Sequence, residues 1–164
     1  MIVFKKATAE DIAVIQAVAK KSWEAAYRDI LTAAQTSYML TEMYATEEIA
    51  AQMKNPDYLY FLMMDEGRTI GFMGYEHHYE PNTTKLHRLY LLPEAQGKGA
   101  GKLALIFLKE KTAETSDRRI ILNVNKQNPA RKVYESQKFK IFDEAIIDIG
   151  NGFVMDDYVM EYLF

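Results

Sequence analysis

The chain has 164 residues, 49% hydrophobic and 26% charged, with 20 basic and 23 acidic side chains for a net charge of −3. That length suits one domain burying about 70% of its unfolded surface. The charge balance argues against a general nucleic-acid binder, which needs a surplus of Lys and Arg to neutralise phosphates, and mildly favours a cationic substrate. The absence of cysteine excludes disulfides, thiolate metal sites and an acyl-cysteine intermediate. No stretch approaches the ~20 apolar residues of a membrane span, and the first residues hold no long apolar h-region, so a soluble, unexported, cytoplasmic protein is expected. No internal repeat, low-complexity run or linker divides the chain, and one domain is expected across residues 1–164.

Residues 2–7 read as a strand. Thr8-Ala9-Glu10-Asp11 resembles a capping box opening a helix with apolar positions Ile12, Ile15, Val18 and Ala19, which ends between Trp23 and Tyr27. Residues 32–55 are helical in two pieces, the later one capped at Thr46 and stopped by Asn55-Pro56. A strand over 58–64, a turn at Asp65-Glu66-Gly67-Arg68 and a second strand over 69–79 form a hairpin. Gly71 and Gly74 interrupt the second strand, marking a bulge or a close backbone approach. Its end carries Glu76, His77 and His78. Adjacent histidines on a strand point to opposite faces and no carboxylate or cysteine spacing completes a ligand set, so no metal site is expected.

A strand over 84–92, ending in Leu89-Tyr90-Leu91, leads to Gln96-Gly97-Lys98-Gly99-Ala100-Gly101-Lys102 and then to a helix over 103–115. Three glycines in five positions let successive N–H groups converge on one anion, and the following helix adds unpaired N–H groups and its positive dipole end. The stretch reads as a pyrophosphate cradle, the plain alternative being a glycine-rich turn without a ligand. A Walker loop would need glycine at Gln96 and a hydroxyl at Leu103. A dinucleotide fingerprint is met by Gly99, Gly101 and Ala104, but starts too late in the chain for the two halves of that fold. Residues 118–125 form a buried strand. Asn128 is an N-cap with Pro129 in the first helical position and Tyr134 one and a half turns in. Strands over 141–149 and 153–162, joined by Gly150-Asn151-Gly152, end the chain.

Gln96, Gly99 and Gly101 fit [Q/R]-x-x-G-x-[G/A] between a strand and a helix, and Ala130, Tyr134 and Phe139 fit N-x-x-A-x-x-x-Y-x-x-x-G-F. In these motifs the chain resembles the GNAT superfamily of N-acetyltransferases. The resemblance implies an α/β (α+β) fold, a mixed, largely antiparallel sheet of about seven strands flanked by helices. That sheet is splayed between the strand ending at Leu92 and the one ending near Asn125 to admit acetyl-CoA. It also implies that residues Gln96, Gly97, Lys98, Gly99, Ala100, Gly101 and Lys102 hold the pyrophosphate. Main-chain groups of Leu89, Tyr90 and Leu91 would hold the pantetheine arm and thioester carbonyl, and Arg131 could meet the nucleotide phosphates. The family's asparagine falls at Gln127 by count from Ala130, whereas the asparagine here is Asn128; either could reach pantetheine. The glycine that closes this helix in the family is Lys138. The early helices would wall an acceptor site, making Trp23, Tyr27, Tyr38 and Tyr44 candidates for substrate contact, with ordinary packing the alternative for each. Asp157 and Met160 match a D-x-x-M ending of some small-molecule members, polyamine-type enzymes included.

Acetyl transfer to an amine needs the amine deprotonated, a donor for the developing oxyanion and a proton for the departing thiolate. Tyr134, with an ordinary phenol pKa of about 10, would supply the last of these, and a main-chain N–H near Leu91 the second. Many family members place a glutamate eleven residues ahead of the glutamine; here that position is Lys85. His87 and Glu76 are the candidate bases, and a water relay or the amine's own ionisation stays open. The expected function is acetyl-CoA-dependent N-acetylation of a small-molecule amine, polyamines included, by direct attack in a ternary complex. The alternatives are peptide or protein amine acetylation and a non-catalytic acyl-CoA sensor. A homodimer is expected by analogy only.

Overall fold

Ile12, Ile15, Val18, Ala19 and Trp23 recur at helical spacing and are all buried along one stripe of the first long helix. That helix packs on a sheet whose central strands are covered on both faces. In the computed structural model, which describes residues 1–164, the elements are β1 (Ile2–Lys6), α1 (Ile12–Ala26), α2 (Ala33–Met43), α3 (Thr46–Lys54), β2 (Tyr58–Asp65), β3 (Arg68–Glu80) and β4 (Thr83–Leu91). They continue as α4 (Ala100–Ala113), β5 (Arg119–Asn125), α5 (Arg131–Ser136), β6 (Lys140–Gly150) and β7 (Phe153–Leu163). The seven strands form one sheet in the order β1-β2-β3-β4-β5-β7-β6. Every neighbour is antiparallel except β4 and β5, which run parallel because α4 carries the chain back between them. The mixed, largely antiparallel α/β architecture expected from the sequence is the one observed.

Successive residues of β2 show how the two faces are filled. The Phe61 ring meets Phe107 of α4 edge-on at 4.9 Å, whereas Tyr60 Oη donates to Gln52 Oε1 of α3 at 2.6 Å. The β2–β3 turn places Glu66 and Gly67 at φ +50° and +78°, the left-handed pair that a two-residue hairpin requires. Gly71 is a close approach: a Cβ there would stand 2.6 Å from Tyr90 O.

Two irregularities of β4 shape the site. Tyr75 pairs with Leu86 and Gly74 with Arg88, so two steps on β4 oppose one on β3 and His87 is the extra residue of a β-bulge. On its other side β4 pairs with β5 only from Thr83–Arg119 to Leu86–Leu122. Beyond that run the strands part, leaving the β5-facing main chain of Leu89, Tyr90 and Leu91 without a sheet partner.

The opposite end of β4 is clipped shut by Asp117, whose side chain is fully buried. Its Oδ2 accepts from His78 N and Thr84 Oγ1, each at 2.8 Å, and its Oδ1 lies 2.9 Å from His78 Nδ1. Here the sequence expectation for the histidine pair is corrected. His78 has φ +56° in a stretch where the β3–β4 register shifts, which breaks the strand alternation. Both rings turn toward one cluster, with His77 Nδ1 2.9 Å from Thr84 Oγ1 and the ring centroids 6.2 Å apart.

The start of α5 also differs from the expectation. Asn128, Pro129 and Ala130 form a turn, and the helix begins at Arg131. Asn128 Oδ1 still accepts from Ala130 N at 2.9 Å, so its side chain caps that turn rather than the helix proper.

Candidate active site

Where β4 and β5 part, a cavity of about 570 Å³ opens between the end of α1, the Gln96–Lys102 loop and the start of α5. Its walls are residues that the sequence does not place near one another. Ser22, Ala25, Ala26 and Tyr27 come from α1 and its end, His87 to Leu91 from β4, Leu122, Asn123 and Val124 from β5, and Asn128, Val133 and Tyr134 from the α5 region.

The cradle is built as its glycines require. Gly97 and Gly99 stand at φ +77° and +81°, with open space where a Cβ would project, and Gly99 is the N-cap of α4. A side chain at either position would be strained, and the first N–H groups of α4 have no partner within the helix. Gln96, Gly97, Gly99, Ala100, Gly101 and Lys102 all line the cavity. The apolar lining, the unpartnered main chain of Leu89–Leu91 and the glycine cradle together fit a long thioester with a pyrophosphate at one end.

Tyr134 is buried and lines the cavity. No protein group hydrogen-bonds its hydroxyl, and burial pushes its phenol well above the ordinary value, with the nearby Tyr27 adding to the effect. The group therefore stays a proton donor throughout the physiological range. Tyr27 and Tyr90 hydroxyls lie 3.4 Å apart, and Asn128 Nδ2 is 3.5 Å from Tyr27 Oη, so three side chains named from sequence meet at this wall.

Other residues fall elsewhere. Trp23 is 1% exposed and packs against Tyr27, Tyr44 and Tyr90, and Tyr44 is itself covered by Arg88. Both are core residues. Tyr38 donates to Ile149 O at 3.0 Å and tilts against Phe153, tying α2 to the β6–β7 hairpin. Lys98 lines a separate depression beside Arg68 and Glu94. Arg131 is held by Glu135 at 2.9 Å with its guanidinium over the Tyr158 ring, turned from the cavity.

Asp157 is buried, its Oδ1 has no hydrogen-bond partner, and desolvation raises its carboxyl above the usual carboxylate value. Its charge reaches Tyr27. His87 lines the cavity and lies 3.0 Å from Glu76, which is outside the lining but bonded to it. Sequence reasoning missed Asn123, Ala25 and Ala26. A polar residue inside the apolar run Ile120–Val124 and two small residues at a helix end were the available signals.

This arrangement defines a transferase that takes an acyl group from a thioester lying across a split sheet. Residues 21–139 match the acetyltransferase (GNAT) family, and the chain belongs to it: the protein is an acetyl-CoA-dependent N-acyltransferase. It is 28% identical over 160 residues to the spermidine N(1)-acetyltransferase of Thermoplasma acidophilum, a match covering 94% of this chain and 96% of that protein. The fold superposes on PaiA N-acetyltransferase from Thermoplasma acidophilum in complex with coenzyme A with a TM-score of 0.84 at 25% identity, covering 100% of this chain and 99% of that one. An N-acetyltransferase from Staphylococcus aureus Mu50 shares the fold at a TM-score of 0.74 and 18% identity, with 99% and 98% covered. No helix is long and apolar enough to cross a membrane.

Proposed function

We propose that the protein acetylates the primary amine of a small molecule, with polyamines the leading acceptor class, by direct attack in a ternary complex. The observation that carries this reading is Tyr134: a phenol that lines the cavity, has no protein partner and is kept protonated by burial. It gives its proton to the departing sulfur. Acetyl-CoA supplies an acetyl group activated as a thioester.

The rest of the site serves that exchange. Gly97, Gly99 and Gly101 let the main chain cradle the pyrophosphate, with Gln96 and Lys102 beside it. Leu89, Tyr90 and Leu91 receive the pantetheine arm on their unpaired edge, and Asn128 steadies it from the other wall. Tyr27 bounds the acceptor end. Asp157 is buried outside the cavity lining, but its charge reaches Tyr27 on the wall and would favour a cationic acceptor, and the relative named for spermidine acetylation supports the same class. The protein would act in the cytoplasm as a homodimer. Its edge strand β6 supports the pairing, with Ile146 74% exposed and Ile141 and Phe142 also open.

Thiol release from acetyl-CoA, measured across polyamines, other amines, amino acids and peptides, tests the proposal. Tyr134→Phe is expected to lower kcat by about 100-fold on the preferred acceptor while leaving acetyl-CoA affinity intact. Preference for peptides over small amines would replace the acceptor class. An unchanged rate in Tyr134→Phe would remove the proposed acid.

A further inference from the structure

Resting on that reading, we infer that His87 and Glu76 act as one unit, Glu76 fixing the imidazole so that His87 Nδ1 takes the proton of the acceptor ammonium. The bulge in β4 creates the unit. In an unbroken strand His87 and Arg88 would face opposite ways; the extra residue turns both toward the α1–α3 side. There the His87 ring stacks on Tyr58, with centroids 4.8 Å apart and planes at 11°, and meets Tyr79 edge-on at 5.5 Å. Arg88 reaches Tyr60 Oη at 2.8 Å.

The tautomer follows from the partner. His87 Nε2 lies 3.0 Å from Glu76 Oε1, and an ionised carboxylate only accepts, so Nε2 carries the hydrogen. The lone pair of the neutral ring is then on Nδ1, which no protein group engages, and His87 lines the cavity. Glu76 and Tyr79 face the ring from β3 and Tyr58 from β2, and Lys85 and Arg88 flank it on β4; the Lys85 charge also reaches Asp157 of β7. Burial, with Lys85 and Arg88, holds the imidazole below its ordinary value although Glu76 pulls the other way. Lys85 itself lies on the Tyr79 ring, 4.6 Å from its centroid, and as a cation cannot accept a proton.

In the step, one N–H bond of the ammonium breaks, its proton joins Nδ1, and the nitrogen keeps the electron pair needed for attack. The imidazolium is then paired with Glu76 and releases the proton to solvent. The second proton that the nitrogen loses balances the one Tyr134 gives to sulfur, so each turnover releases one proton. Glu76 is a positioning residue in this scheme.

Nitrogen-15 imidazole NMR of the protein reads the tautomer without any turnover, with His87→Gln identifying the His87 signals among three histidines. At neutral pH the expected ring has hydrogen on Nε2 and a bare Nδ1, and Glu76→Gln disturbs that preference. An Nδ1–H ring, or a Glu76→Gln spectrum identical to wild type, overturns the inference. In kinetics, His87→Gln lowers kcat/KM for the amine about 100-fold near neutral pH, and the loss shrinks with acceptors of low amine pKa. Glu76→Gln moves the acidic limb of the pH profile to lower pH, because the imidazolium loses its carboxylate. Acetyl-CoA affinity stays at the wild-type value in both variants and reports that they fold. A His87→Gln enzyme with wild-type rate and profile sinks the dyad and leaves the proposed function standing. A wild-type protein that binds acetyl-CoA and acetylates no amine sinks both.

Discussion

Lys138 is the residue where local chemistry and backbone geometry disagree. It stands at φ +73° just past α5, and the bonds around it, Phe139 N to Tyr134 O at 3.1 Å and Lys138 N to Glu135 O at 3.0 Å, are those of a Schellman close. A side chain in this left-handed conformation is strained by about 1 kcal/mol. Lys109 helps hold the turn, donating to Gln137 O at 2.7 Å with its ammonium 4.0 Å from the Tyr162 ring centroid. Lys138→Gly is therefore expected to stabilise the protein by about 1 kcal/mol, seen as a higher urea midpoint at unchanged slope, whereas Lys138→Ala leaves the strain in place. The strained slot was legible in the sequence as a missing glycine. Its support from Lys109 was not, because α4 and α5 become neighbours only through the fold.

At the scale of elements, the contact between β3 and β4 sets the shape of the cavity wall. Adding a methyl group at Gly71 would place carbon 2.6 Å from Tyr90 O and 2.7 Å from a Leu91 methyl, and the backbone oxygen has no room to yield. Gly71→Ala is expected to destabilise by about 1–3 kcal/mol, as overpacking does, and to weaken acetyl-CoA binding by displacing the Tyr90–Leu91 main chain. Thermal melting and calorimetric titration would read the two effects, and an unaltered affinity would show that the wall tolerates the shift. Gly71, the glycine cradle and the Ala130–Tyr134–Phe139 spacing were readable because each is a local constraint on backbone or helix face. The bulge at His87 was not, since it exists only as a mismatch between two strands. Aromatic identity left Trp23, Tyr38 and Tyr44 open between packing and contact: a large ring announces burial, but not which of two walls it will fill.

At the scale of the molecule, the two parts of the sheet are joined by the short run Thr83–Leu86 with Arg119–Leu122 and by the clip at Asp117. Burial alone would raise the Asp117 carboxyl, but the His78 N–H, Thr84 hydroxyl and His78 ring outweigh it and hold it below the usual carboxylate value. A depressed folded-state pKa stabilises fully above the unfolded value, near 4, and that contribution is lost as pH falls through the lower folded value. Wild type should therefore lose stability on acidification below about pH 4–5 more steeply than Asp117→Asn. At neutral pH the variant should already be less stable by about 2–3 kcal/mol, the contribution of hydrogen bonds to a buried charge. Urea midpoints across pH would measure both, and parallel curves for the two proteins would remove Asp117 from the acid transition.

The same join has a mechanical meaning. A sheet sewn at one end and open at the other is a clothes-peg, with its spring at Asp117 and its jaws at Leu89–Leu91 and Asn123–Asn125. The carboxylate that sews the closed end stands at the other end of β4 from the jaws, outside the residues that line the cavity.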